Sequence, residues 1–327
     1  MNFIDNFKKD TTWTVLFFLS LCLLTPAWGS SNLVRSAAIA SAHPLATAAG
    51  ESILNQGGNA FDAAVAVSAV LAVIEPYSSG LGGGGLWLLH LADENREVVL
   101  DGRETAPGKA SSGMYLDLNA DLLRSASLDG ALSAAIPGTP AALVHLSQNY
   151  GKLTLAQNLA PAITLARDGF KIDRRFAGML AKYQVKLRAD QRSARIFLPD
   201  SMPPSAGSIL LQPELASTLT EIATLGADGF YRGWVAEQMV ESVKQAGGIW
   251  EIEDLENYRA IEREPTQLVY RGVLITTSPL PSSGSASCTN RRMRVDFPAP
   301  LTPSTATLDA RQSLTLTSFS CGLAAPG

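Results

Sequence analysis

The stretch DGRETAP, residues 101–107, carries the most chemically directed side chain of this 327-residue sequence. Arg103 follows Asp101-Gly102 directly, at the end of an apolar run that reads as a strand, so a rigid element would present its guanidinium. A guanidinium is a planar fork of donors that meets a carboxylate in bidentate geometry, which lysine cannot copy. Residue type alone leaves two readings open: an arginine that binds a carboxylate, or an ion pair that finishes a strand. Glu104, next in the chain, is a candidate to orient that guanidinium.

Other chemistries find less material. His43, His90 and His145 stand at unrelated spacings with no cysteine or carboxylate cluster beside them, which favours structural roles. There is no H-E-x-x-H and no C-x-x-C, so a metal-dependent mechanism is not expected. No G-x-S-x-G elbow is present either. Gly80, Gly82 and Gly85 do satisfy G-x-G-x-x-G. That pattern holds a dinucleotide only where the glycines follow a strand and open a helix. Here they follow a helical segment and precede a strand, and no Lys-Ser/Thr pair makes a phosphate loop. The reversed order sets aside a dinucleotide-dependent oxidoreductase, and no cofactor is expected. Consecutive glycines would instead admit positive φ and let other backbone approach with no Cβ in the way. Packing alone is a full alternative for that loop.

The elements that must position these residues are legible in outline. Pro44 to Asn55 reads as a helix closed by Gly57-Gly58. Asn59 caps a second helix with Asp62 in the capping-box position, and Ala60 to Ile74 is apolar on every face, so this helix is expected inside the core. Pro76 ends it. Leu86–Leu91 and Glu97–Leu100 read as strands joined by a polar turn. Helices are expected over Pro140–Tyr150, Thr154–Arg167, Pro213 to Gly226 and Gly233–Ala246, with a short one at Glu253–Tyr258. Gln267–Tyr270 and Val273–Thr277 form a plausible hairpin around Arg271-Gly272.

Charged residues are 17% of the chain and hydrophobic ones 46%, a balance that suits elements buried on more than one side, as in layered α/β architectures. A net charge of −4 argues against nucleic acid as a partner. At the N-terminus, Lys8 and Lys9 precede an apolar run from Trp13 to Leu24, and Ala27-Trp28-Gly29 places small residues two apart. That is the pattern of a signal peptide over residues 1–29, which implies export to the periplasm or beyond the cell. The run falls short of the roughly 20 apolar residues of a spanning helix. An uncleaved membrane anchor is the alternative, and lipid attachment at Cys22 a weaker one. No cysteine lies between that segment and Gly284, so the body, residues 30–284, is no disulfide scaffold. From Ser285 to Gly327 the composition turns to serine, threonine, proline and arginine with no sustained apolar period, and disorder is expected.

The segment QGGNAFDAAVAVSAVLAVIEPYSSGLGGGG, residues 56–85, closely resembles the gamma-glutamyltranspeptidase family, also called glutathione hydrolases. SAHPLATAAGESILNQGGNA, DGRETAP, IPGTPAAL, APAITLARDGF, ADGFYRG and EREPTQLVYRG agree in order, from about Ala38 to Gly284. The resemblance implies an N-terminal nucleophile hydrolase fold, two β-sheets between helical layers, here represented by an incomplete large subunit. It implies transfer of a γ-glutamyl group from glutathione or related amides, through an acyl-enzyme, to water or an amino acid, with no cofactor. It gives Arg103 the α-carboxylate of the γ-glutamyl group.

The resemblance also implies a threonine nucleophile freed by self-cleavage, on a small subunit cut from the same precursor. The chain follows the family to PLPSSG, residues 279–284, and then runs SASCTNRRMRVDFPAP. No catalytic residue is therefore assigned in this chain, which is expected neither to cleave itself nor to release product from a γ-glutamyl anilide. A frameshift, truncation or chimeric join at Gly284 would account for the change, and sequencing the gene across that codon tests it. A non-catalytic exported protein that keeps the binding scaffold is the alternative function.

Overall fold

The computed structural model describes residues 37–117 and 119–282. The expected signal segment 1–29, the tail 285–327 and the break at Gly284 lie outside the described residues. The chain divides into Met1–Ala38 and Ile39–Gly327, and every described helix and strand belongs to the second unit.

Helix α1 (Pro44–Asn55) starts at His43, whose ring nitrogen accepts from Leu45 N–H. Helix α2 (Ala60–Ile74) is the centre of the fold. Asn59 Oδ1 accepts from the N–H groups of Phe61 and Asp62, and the Asp62 carboxylate accepts back from Asn59 N–H at 2.9 Å. Twelve of its fifteen residues are buried, most of them Ala or Val. Small side chains let neighbouring helices approach on every side, and each buried Val, Leu or Ile contributes about 1.5–3 kcal/mol. Pro76 ends α2 as the sequence predicts, but opens a single turn, α3 (Pro76–Ser79).

The glycine loop then leads into β1 (Gly85–Leu91), which pairs antiparallel with β2 (Arg96–Gly102) from Gly85↔Gly102 to Leu91↔Arg96. Helix α4 (Thr139–Tyr150) packs on β2 and α2, and α5 (Leu155–Asp168) covers another side of α2 behind the expected Thr154–Gln157 capping box. The buried Asp62 carboxylate links these layers, accepting from Lys152 N–H at 2.8 Å and from the Asn158 side chain at 2.8 Å. Satisfied in this way, a fully buried charge is tolerated.

The strand pair β3 (Phe170–Lys171) and β4 (Ile209–Leu210) brackets two helices that the sequence reading does not contain, α6 (Arg174–Ala189) and α7 (Gln191–Phe197). Helix α8 (Pro213–Leu225) packs on α5, followed by α9 (Asp228–Tyr231), α10 (Gly233–Gln245) and α11 (Ile252–Glu256). Strand β5 (Ile261–Arg263), also absent from the sequence reading, pairs antiparallel with β2 and completes a three-stranded sheet of order β1-β2-β5. The hairpin of β6 (Thr266–Tyr270) and β7 (Val273–Thr277) stands as a separate two-stranded ribbon. The architecture is the expected layered α+β arrangement of helices and antiparallel strands.

Candidate functional site

Strand β2 ends at Gly102, so Arg103 sits where the ladder stops and its backbone must find other partners. Its N–H donates to Asp101 Oδ1 at 2.9 Å, and its carbonyl accepts from the Tyr258 hydroxyl at 2.7 Å. Asp101 is almost fully buried, and its other oxygen accepts from Arg263 Nε of β5 at 2.6 Å. The Arg103 side chain is about one-third exposed (35%), and its Nη2 lies 3.4 Å from Glu104 Oε2. Both side chains face a cavity of about 420 Å³. Tyr77 and Ser79 of the α3 turn, Trp87 of β1 and the glycine loop also line it.

The loop answers its own sequence puzzle. None of Gly80, Gly82, Gly83, Gly84 and Gly85 adopts positive φ, which corrects one half of the expectation. The other half, close approach, is what the loop uses. A Cβ on Gly84 would stand 2.5 Å from the Gly102 carbonyl oxygen, 2.8 Å from Glu104 N and 2.9 Å from Arg103 Cα. The Gly83 carbonyl accepts from the N–H groups of Gly138 and Thr139 at 2.9 and 3.0 Å. A side chain at Gly138 would collide with both Gly102 and Tyr258. Three backbone segments thus meet around Arg103 with no side chain between them.

Tyr258 stacks on Tyr231, with ring centroids 5.4 Å apart and planes 7° from parallel. Burial, then the charges of Asp101 and Glu104, push its hydroxyl well above the usual phenol range, so it stays a donor at neutral pH. Burial likewise raises Tyr231, which donates to the Pro137 carbonyl at 2.8 Å. Tyr77, at the cavity wall, is pushed up to about 12 by burial and then by Glu75.

The histidines stand elsewhere. His43 caps α1, His90 faces Glu97 across the β1–β2 hairpin at 3.3 Å, and His145 Nε2 lies 2.8 Å from Glu262 Oε1. None lines the cavity. Among the described residues no group of His, Cys, Asp and Glu could hold a metal ion, and no helix is long and apolar enough to cross a membrane. The structure thus brings Arg103 and Glu104 together at one cavity. Sequence reasoning missed Tyr77, Asp101, Tyr258 and Arg263. The stretch EREPTQLVYRG contains Arg263, but nothing local in it points 162 residues back to Asp101.

Helices layered on an antiparallel sheet that carries Arg103 at its end form an α+β fold of the N-terminal nucleophile hydrolase type, and the solved structures agree. The chain superposes on the gamma-glutamyltranspeptidase of Helicobacter pylori with TM-score 0.76 and 39% identity, over 78% of this chain and 73% of that one. It superposes on the gamma-glutamyltranspeptidase of Pseudomonas nitroreducens, solved in complex with L-DON, with TM-score 0.71 and 33% identity, over 80% of each. The glutathione hydrolase proenzyme of Pseudomonas sp. (strain A14) is 40% identical over 247 residues, 75% of this chain and 43% of that relative. The proenzyme of Escherichia coli (strain K12) is 39% identical over 75% of this chain and 42% of its own length. A sequence model of gamma-glutamyltranspeptidase matches residues 46–295, a span that ends beyond Gly284. The chain belongs to the gamma-glutamyltranspeptidase family. It spans less than half the length of the curated relatives it matches.

Proposed function

We propose that residues 39–282 supply the side of a gamma-glutamyltransferase site that holds the γ-glutamyl group of glutathione or a related amide. The acyl group would pass through an acyl-enzyme to water or an amino acid acceptor. Arg103 receives the α-carboxylate, and Glu104 steadies the guanidinium from the side. The observation that carries this reading is a guanidinium on fixed backbone, at the wall of a cavity of a size that suits a small molecule. Family membership supplies the reaction class. A threonine nucleophile on a small subunit from the same precursor belongs to the proposal, as does export directed by residues 1–29.

The test is calorimetric titration of the 327-residue chain with L-glutamate. A charge-assisted bidentate contact of about 1.5–3 kcal/mol corresponds to a tenfold to hundredfold change in affinity. Arg103→Lys keeps the charge and loses the fork, so it weakens binding within that range, and Arg103→Ala weakens it further. Unchanged affinity with a lowered melting temperature would return Arg103 to a strand-end ion pair.

A further inference from the structure

We propose that Asp101, Arg263 and Tyr258 are positioning residues that hold Arg103 in its carboxylate-binding orientation and keep its guanidinium available to a ligand. The inference rests on the carboxylate reading of Arg103. An arginine side chain is long and loses much rotamer freedom when it binds, so its usefulness depends on how firmly its root is fixed. Within a strand the ladder would do this. At Arg103 the ladder has ended, and two side chains replace it: Asp101 holds the N–H and Tyr258 holds the carbonyl. The close approach of Gly84 leaves this backbone no room to move toward the loop.

Arg263 adds a second effect, the allocation of charge. Asp101 is only two residues from Arg103 and carries a buried carboxylate. Left alone, it would compete with a ligand for the Arg103 guanidinium. Arg263 Nε engages it at 2.6 Å, and among the described residues Arg103 keeps as its ion-pair partner only Glu104, at the longer 3.4 Å. Strand β5 thus neutralises a buried acceptor that would otherwise compete with substrate for Arg103.

The experiment is a cycle between protein and ligand on the full 327-residue chain, titrated with L-glutamate and with glutamate α-amide, which lacks the α-carboxylate. Tyr258→Phe keeps the stack on Tyr231 and removes one hydroxyl, and Arg263→Gln removes the counterion of Asp101. Each should weaken glutamate binding about fivefold to tenfold, the scale of one hydrogen bond. Each should leave the α-amide affinity unchanged, and Arg263→Lys should recover most of the loss. Equal weakening of both ligands, or none of either, overturns the proposal while the carboxylate reading of Arg103 stands. A wild-type chain that fails to bind glutamate more tightly than the α-amide overturns that reading and this proposal together. Thermal melting checks the fold of each variant; if one is unfolded at the titration temperature, the result for the other decides.

Discussion

Glu262 and Arg263 are neighbours on a three-residue strand, and their side chains leave it in opposite directions, as strand geometry requires. Arg263 reaches Asp101, whereas Glu262 turns to α4, where it accepts from the Tyr150 hydroxyl at 2.5 Å and faces His145 at 2.8 Å. The bond from Tyr150, then that with His145, holds the Glu262 carboxyl below its ordinary value of 4.5. A lowered folded-state value means that these bonds contribute stability in full above pH 4.5 and lose it as the pH falls through the folded value. The difference in melting temperature between wild type and Glu262→Gln should therefore be largest near neutrality and should shrink below pH 4.5. A difference that stays constant down to pH 3 would show that shape, not charge, sets the contribution. At this scale the sequence pointed to only part of the candidate site. Arg103 and Glu104 stand in one short motif, whereas Asp101 gains its meaning from a residue 162 positions away, and pairings across such distances leave no local trace.

Among the elements, what the sequence shows is what local chemistry decides. The caps of α2 and α5 are written as Asn-x-x-Asp and Thr-x-x-Gln, and the β1–β2 hairpin as two apolar runs around a polar turn, and all appear in place. The missing α6 did carry a signal: Asp173 accepts from Phe176 N–H as an N-cap, and Phe176, Leu180 and Leu187 fall on one helical face. Its many charged residues hide that stripe. Strand β5 is three residues long and mostly polar, too short for any period to register. The glycine loop allows a sharper test of element packing. A Cβ at Gly82 meets nothing within 4 Å, and its φ is not positive, so Gly82→Ala should lie within about 0.5 kcal/mol of wild type or stabilise slightly. Gly84→Ala drives a methyl into three backbone atoms and should cost about 1–3 kcal/mol, the range for overpacking. Equal melting temperatures for the two variants would refute the close-approach account of this loop.

At the scale of the molecule, the low charge content pointed to layered, doubly buried elements, and α2 enclosed by α1, α4 and α5 is what it described. The β6–β7 ribbon breaks that economy. Val269, Val273 and Leu274 are each 60% or more exposed, and the ribbon pairs with no other strand among the described residues. Open edges beside apolar side chains favour self-association. The 327-residue chain should therefore show a sedimentation coefficient that rises with concentration, and Val273→Lys with Leu274→Lys should suppress that rise. A concentration-independent coefficient in the parent chain would argue against this.

The reach from Asp101 to Arg263 also sets a clock. A ribosome adds about 5–20 residues per second, so roughly 8–30 s separate the synthesis of the two residues. Throughout that interval the β1–β2 hairpin can form, complete with Arg103, while Asp101 still lacks its counterion. The stretch that carries Arg103 is thus finished early in the life of the nascent chain and its proposed support late, so a chain arrested before residue 263 would display that stretch without the contact that Arg263 makes to Asp101.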